Sequence, residues 1–167
     1  MSDAYKATIR HHWEEVNRAT GAQFDYSFFD RKNFVLDTEP ACRAVVIVRK
    51  MDKTKTLKYY ESISRSFYEE NKDTTDVNTL TVLAEDAGLD VQEFRQLFVS
   101  DQLKQAALED FRYSQRLGIT GFPTILAMEK EGNKHNLALI SAGYQPFEKI
   151  KPVIDHWLKH GLQEQET

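Results

Sequence analysis

The sequence predicts an α/β chain in which a row of short capped helices leads into a β-hairpin and a closing helix. Three observations carry this. Apolar residues recur at three- to four-residue spacing over most of the first 117 positions. Acidic or hydroxyl caps and glycine stops punctuate that stretch. Beyond Gly118 the pattern shifts to two short apolar runs around Glu131-Gly132-Asn133, which reads as strand, turn, strand.

The elements follow in order. Asp3 to Thr20 is predicted helical, with Ile9, Trp13 and Val16 on one face and Gly21 closing it. Phe24 to Leu36 is aromatic and reads as loop or short extended structure. Ala41 to Met51 is ambiguous. Val45, Val46, Ile47 and Val48 favour strand, but Pro40 suits a first helical position, and the reading taken is a buried helix. Lys55 to Glu70 is predicted helical with Leu57, Tyr60, Ile63 or Ser64, and Phe67 on one face.

Asp76 caps a helix running to Ala87, with Gly88 as its stop. Asp90 and Glu93 form an acidic variant of the capping box and open a helix through Phe94, Leu97 and Phe98. Ser100 caps another, with Leu103, Ala107, Phe111 and Leu117 at helical spacing and Gly118 after it. Thr124–Met128 and Leu137–Ile140 are the predicted strands. The last helix places Phe147, Ile150, Ile154, Trp157 and Leu158 on one face. Pro152 either breaks or kinks it, or starts its main portion. The polar tail from Gln163 is expected to fray.

The chain has 167 residues, a net charge of −4 and 41% apolar residues. This suffices for one domain, or one domain with an inserted subdomain, and for a real core without disulfide staples. Lys and Arg are scattered among Asp and Glu, which excludes the basic stripe of a nucleic-acid binder. No apolar run nears the roughly 20 residues that span a bilayer. Met1 to Arg10 holds no apolar signal region. Cys42 is the one cysteine, so an intrachain disulfide or a C-x-x-C site is excluded, and a reducing cytoplasm is the expected location.

Gly118-Ile119-Thr120-Gly121-Phe122-Pro123-Thr124 is the most informative stretch. It sets a helix stop, a turn and a proline directly before a strand. A proline there must open the strand or sit in a turn. X-Pro is the linkage at which cis costs only about 0.5–1 kcal/mol. A cis bond would turn Phe122 outward and leave its N–H and C=O free for an extended ligand.

This segment resembles the G-[IV]-x-G-[FT]-P-[ST] loop of DsbA-like proteins of the thioredoxin superfamily, in particular the FrnE-type branch. Thr38-Glu39-Pro40-Ala41-Cys42-Arg43-Ala44-Val45 resembles the segment that opens the helical subdomain there. His12-Trp13 with Thr20-Gly21, and Ala142-Gly143-Tyr144, are similar to the preceding helix and to the end of the hairpin. The resemblance implies a thioredoxin-like α/β fold of DsbA type, with an incomplete sheet and a helical insert. Residues 1–40 and 118–167 would form the partial thioredoxin-like domain and 41–117 the insert.

The resemblance further implies dithiol–disulfide exchange on protein or peptide substrates, with Gly121, Phe122, Pro123 and Thr124 binding substrate. The family's strand, C-x-x-C helix and second strand have no counterpart in this sequence, so no catalytic residue is assigned and the chain as given is expected to lack dithiol activity. An uncovered hairpin would keep an open edge, a template for pairing with a second copy. The expectation is therefore instability alone, a homodimer through that edge, or a fragment. Two further readings stand beside this one. One is a non-catalytic binding or dimerisation module; the other is a glutathione-dependent isomerase or transferase of the kappa-like branch, whose serine would also lie outside this sequence.

Cys42 is a buried small side chain or, if the helix start lowers its pKa, a reactive thiol. His156 and His160 stand at i, i+4, but two ligands are too few, and no metal is expected. His11, His12, Glu14 and Glu15 read as solvated surface. No cofactor, nucleic acid or membrane partner is expected.

Overall fold

The computed structural model describes residues 2–32 and 34–162. The expected fraying from Gln163 lies outside them. The chain packs as two compact units, 1–110 and 111–167.

The first unit begins with α1 (Asp3–Thr20), capped by Ser2, whose side chain accepts from the Tyr5 N–H. Trp13 is its buried residue, while Val16 stays exposed. The aromatic stretch after Gly21 corrects the loop-or-extended reading: Tyr26–Asp30 is a 3₁₀ turn capped by Asp25, which accepts from the Ser27 N–H. Lys6 ties this turn to α1 by donating from Nζ to the carbonyls of Phe29 at 2.6 Å and Arg31 at 3.0 Å. Trp13, Phe28 and Phe29 are buried together, with Phe24, Tyr26, Phe34 and Phe67 packed around them. The Trp13 and Phe24 rings stack with centres 5.1 Å apart.

The main core is helical. α2 (Glu39–Met51) buries Ala44, Val46, Ile47 and Val48, so the ambiguous valine-rich run is a helix. Burial on several sides explains why it resembles a strand by propensity alone. α3 (Thr56–Tyr68), α4 (Val77–Asp86) and α5 (Val91–Phe98) pack with it. Their cluster includes Tyr59, Ile63, Leu80, Leu83, Ala84, Phe94 and Phe98, and takes Leu103 and Ala107 from α6 (Asp101–Arg116).

The expected face of α3 is corrected. Leu57 and Tyr60 are exposed, and the buried stripe is Tyr59, Ile63 and Ser66. Tyr59 is fully buried and satisfies its hydroxyl by donating to the Leu80 carbonyl at 2.8 Å. The caps act as predicted: Asp76 accepts from the Asn78 N–H at 3.0 Å, Asp90 from Glu93 at 2.7 Å and Ser100 from Leu103 at 3.3 Å.

The second unit holds the hairpin. β1 (Thr124–Glu131) and β2 (Lys134–Ala142) pair antiparallel from Glu131↔Lys134 to Thr124↔Ala142, with a bulge between Ile125 and Leu126. Among the described residues they form a two-stranded sheet. The polar ends Glu129–Glu131 and Lys134–Asn136 continue the ladder beyond the predicted strands. α7 (Phe147–His160) packs on β2 and carries Pro152 inside it without ending. Ile150, Ile154 and Trp157 are half-buried, whereas Phe147 and Leu158, expected on the same face, are exposed.

Candidate functional site

The glycine-proline loop is built by the end of α6. Gly118 takes φ +70°. Its N–H donates to the Gln115 carbonyl at 2.9 Å, and the Ile119 N–H reaches the Ser114 carbonyl at 3.1 Å. This bond pair closes the helix and turns the chain away. Thr124 Oγ1 then donates to the Gly121 carbonyl at 2.7 Å, folding the loop back on the strand it opens. From the other strand the Gly143 N–H donates to the Pro123 carbonyl at 2.8 Å, so the ladder extends one residue past Thr124↔Ala142. Gly143 has φ +78°, a conformation that a side chain would strain.

These bonds leave Phe122 at the open end. The Phe122–Pro123 peptide is cis. The Phe122 side chain is 81% exposed, and no described residue takes up its backbone N–H or C=O. The structure thus brings Gly121, Phe122, Pro123 and Thr124 into one exposed turn at the start of β1. The sequence reading did not connect Tyr144 and Phe147 with this turn. Both are exposed, and they lie at or just past the end of the partner strand, at the same end of the hairpin. The signal lay in Gly143 and Pro146, which end the strand and start the helix around them.

Cys42 lies elsewhere, in the first turns of α2. Its N–H donates to the Thr38 carbonyl at 3.0 Å. The thiol is half-buried, and burial pushes its pKa up, with Glu39, Asp110 and Asp37 adding in the same direction. The helix-start effect that would favour a thiolate is outweighed by desolvation and these carboxylates. Beside it, Arg43 pairs with Glu39 at 2.8 Å and stacks its guanidinium 4.2 Å from the Phe98 ring centre.

His11 and His12 sit exposed, 3.5 and 3.4 Å from the Glu15 carboxylate. The His156 and His160 ring centres are 4.7 Å apart on α7. Among the described residues, no three His, Cys, Asp or Glu side chains gather as a metal site. None of the described helices is long and apolar enough to cross a membrane.

The helices, hairpin and proline turn match a known pattern. The model of the DSBA-like thioredoxin domain matches residues 12–154. The chain belongs to this family. Among solved structures, it is similar to one described as a "putative protein disulfide isomerase" from Nitrosomonas europaea. That match has 34% identity and a TM-score of 0.88, covering 96% of this chain and 78% of the other. The fold is shared with the cytosolic disulfide reductase DsbM from Pseudomonas aeruginosa at 22% identity, TM-score 0.75, over 95% of this chain and 79% of that one. A DsbM structure with GSH matches at 24% identity and TM-score 0.70, over 91% and 77% of the two chains. No curated protein matches.

The fold is accordingly thioredoxin-like of the DSBA type, mostly helical, with a two-stranded antiparallel sheet. This DSBA-like chain contains one cysteine and therefore no C-x-x-C pair.

Proposed function

We propose that this chain serves dithiol–disulfide exchange as a substrate-holding part, with Phe122 offering its backbone N–H and C=O to an extended segment of a protein or peptide substrate. The observation that carries this reading is the untaken N–H and C=O of exposed Phe122 beside the strand start. Two free groups of this kind pair with an extended chain as a sheet edge does. Gly121 and Thr124 hold the turn through their mutual bond, and Pro123 fixes the strand start through its bond from Gly143. In this reading residues 1–40 and 118–167 belong to the thioredoxin-like domain and 41–117 to its helical insert. The 38–45 segment supports the FrnE-type branch, and the cytosolic DsbM neighbour supports a cytoplasmic location.

Two-thiol exchange needs a nucleophilic and a resolving cysteine, and Cys42 is a single thiol. The chain alone is therefore inactive in dithiothreitol-driven insulin reduction, yet a cysteine-free extended peptide shifts the amide signals of Gly121, Phe122 and Thr124 in the folded protein. Insulin reduction above the dithiothreitol background, or peptide shifts confined to other residues, would overturn the reading.

A second reading is favoured by the hairpin itself. Among the described residues each strand of the two-stranded sheet has one unpaired edge, and the strands carry exposed Met128, Leu137 and Leu139. Such an edge pairs with a second copy. Light scattering across a concentration series decides it: a mass that stays at one chain's value excludes the dimer.

A further inference from the structure

We infer that the cavity between α2 and α6 is a binding site for a small amphipathic carboxylate, a monoanion with a short alkyl or single-ring body. It measures ≈ 200 Å³ and is lined by Val46, Arg49, Lys50, Gln102, Leu103 and Ala106. All of these residues belong to the first unit, so the site owes nothing to the proline turn. Each helix supplies its three residues at one-, three- or four-residue spacing, so one stripe of α2 faces one stripe of α6 across the cavity. Val46 and Leu103 are buried and Ala106 is half-buried, which makes the floor apolar. Ala106 ends in a methyl group, and that small side chain leaves the room. Clefts for drug-sized ligands run from roughly 300 to 1,000 Å³, so this one takes a smaller body.

The rim sets the head group. Arg49, Lys50 and Gln102 are exposed. Arg49 donates from Nη2 to Asp110 at 2.9 Å, so its charge is matched. Among the described residues Lys50 has no ion-pair partner. Asp101 precedes Gln102 in the first turn of α6 but does not line the cavity. Both cations stand in the last turn of α2 and offset the negative end of that helix. That role leaves the Lys50 ammonium at the cavity mouth, open to a ligand. One unmatched ammonium beside an amide donor suits a carboxylate, which accepts from both. A phosphate dianion would be only half neutralised there. The alkyl or ring body meanwhile gains by leaving water for the floor of Val46, Leu103 and Ala106.

The experiment uses the ¹⁵N-labelled full chain with octanoate, octanamide and acetate as probes. Octanoate is expected to shift the amides of Val46, Lys50, Leu103 and Ala106, with a Kd in the roughly millimolar range. Octanamide keeps the body without the charge and binds roughly two- to fivefold more weakly, the worth of one solvent-exposed ion pair. Acetate at the same concentration leaves these amides unmoved. Lys50→Gln lowers the octanoate affinity to that of octanamide and leaves octanamide binding unchanged. Ala106→Leu fills the cavity and abolishes binding of both, with circular dichroism confirming the fold. Octanamide binding as tightly as octanoate, or an octanoate affinity untouched by Lys50→Gln, overturns the charge match. Shifts that acetate reproduces, that survive Ala106→Leu or that miss these amides overturn the site itself.

Discussion

The indole N–H of Trp157 donates to Oε1 of Glu129 at 2.9 Å, and the same oxygen accepts from the Leu162 N–H at 2.7 Å. One carboxylate on β1 thereby fastens both the body of α7 and the chain just past its end. Hydrogen bonds to a charged, partly buried group contribute about 1.5–3 kcal/mol each. Glu129→Ala, which removes both bonds, is expected to destabilise the 111–167 unit by about 3 kcal/mol or more, and Glu129→Gln, which keeps an acceptor oxygen, by clearly less. Urea denaturation followed by the tryptophan fluorescence of a Trp13→Phe background, which reports Trp157 alone, measures both. Equal losses from the two variants would show that the carboxylate oxygen is not the fastening.

Tyr59 gives a prediction at alkaline pH. Its phenol is fully buried, and burial raises its pKa well above the ordinary value. Unfolded tyrosine ionises near about pH 10, while the native phenol stays protonated. The raised native pKa therefore adds nothing below pH 10, and stability falls as pH rises past that point because the unfolded chain gains by losing its proton. Tyr59→Phe removes this slope. It also removes the donor to the Leu80 carbonyl, at a cost of about 1 kcal/mol near neutrality. Denaturation midpoints of both proteins from pH 7 to 11 should converge at the alkaline end; parallel curves would mean that the phenol ionises in the native state.

The same tyrosine shows where the sequence was legible and where it was not. Caps are local chemistry, so Asp76, Asp90 and Ser100 were readable, and the glycine stops at 21, 88 and 118 all carry positive φ. A helix face is a tertiary fact. In α3 two stripes satisfy the spacing, one through Leu57 and Tyr60 and one through Tyr59, Ile63 and Ser66. Hydrophobicity favours the first because it discounts a serine. The core accepts the second because Ser66 is small enough to be covered and Tyr59 finds a carbonyl. The 3₁₀ turn at Tyr26–Asp30 was hidden for a related reason: Lys6, about twenty residues away in sequence, holds its carbonyls. In the candidate site, the turn itself was legible from its glycines and proline. The exposure of Phe147 was not, because helical spacing alone placed it with Ile150 and Ile154.

Cys42 should behave as an inert side chain. Its thiol is pushed up first by burial and then by three carboxylates, so the thiolate fraction at neutral pH is smaller than that of free cysteine. Alkylation of the folded protein by iodoacetamide at pH 7.5 is expected to run at least about tenfold slower than that of free cysteine. The rate should keep rising above pH 9, where free cysteine levels off. Cys42→Ala should change stability by less than about 1.5 kcal/mol, since it removes a single half-buried sulfur. Labelling faster than free cysteine would restore the reactive-thiol reading.

Trp13 is the keystone of the N-terminal aromatic cluster. Its ring centre lies within 5.3 Å of those of Phe24, Phe28, Phe29 and Tyr68. Those partners come from the 3₁₀ turn, the short segment before it and the end of α3, so one side chain joins three segments to α1. Replacing a buried tryptophan by alanine costs about 3–5 kcal/mol through lost transfer energy and a residual cavity. Trp13→Ala should therefore reduce stability by that amount, and hydrogen exchange should quicken in residues 3–30 before it does in α4 and α5, whose core cluster does not include Trp13. Trp13→Phe keeps part of the stacking and should recover roughly half of the loss. Uniform acceleration of exchange across α1, α4 and α5 would instead mean that the aromatic cluster and the helical core unfold as one cooperative unit.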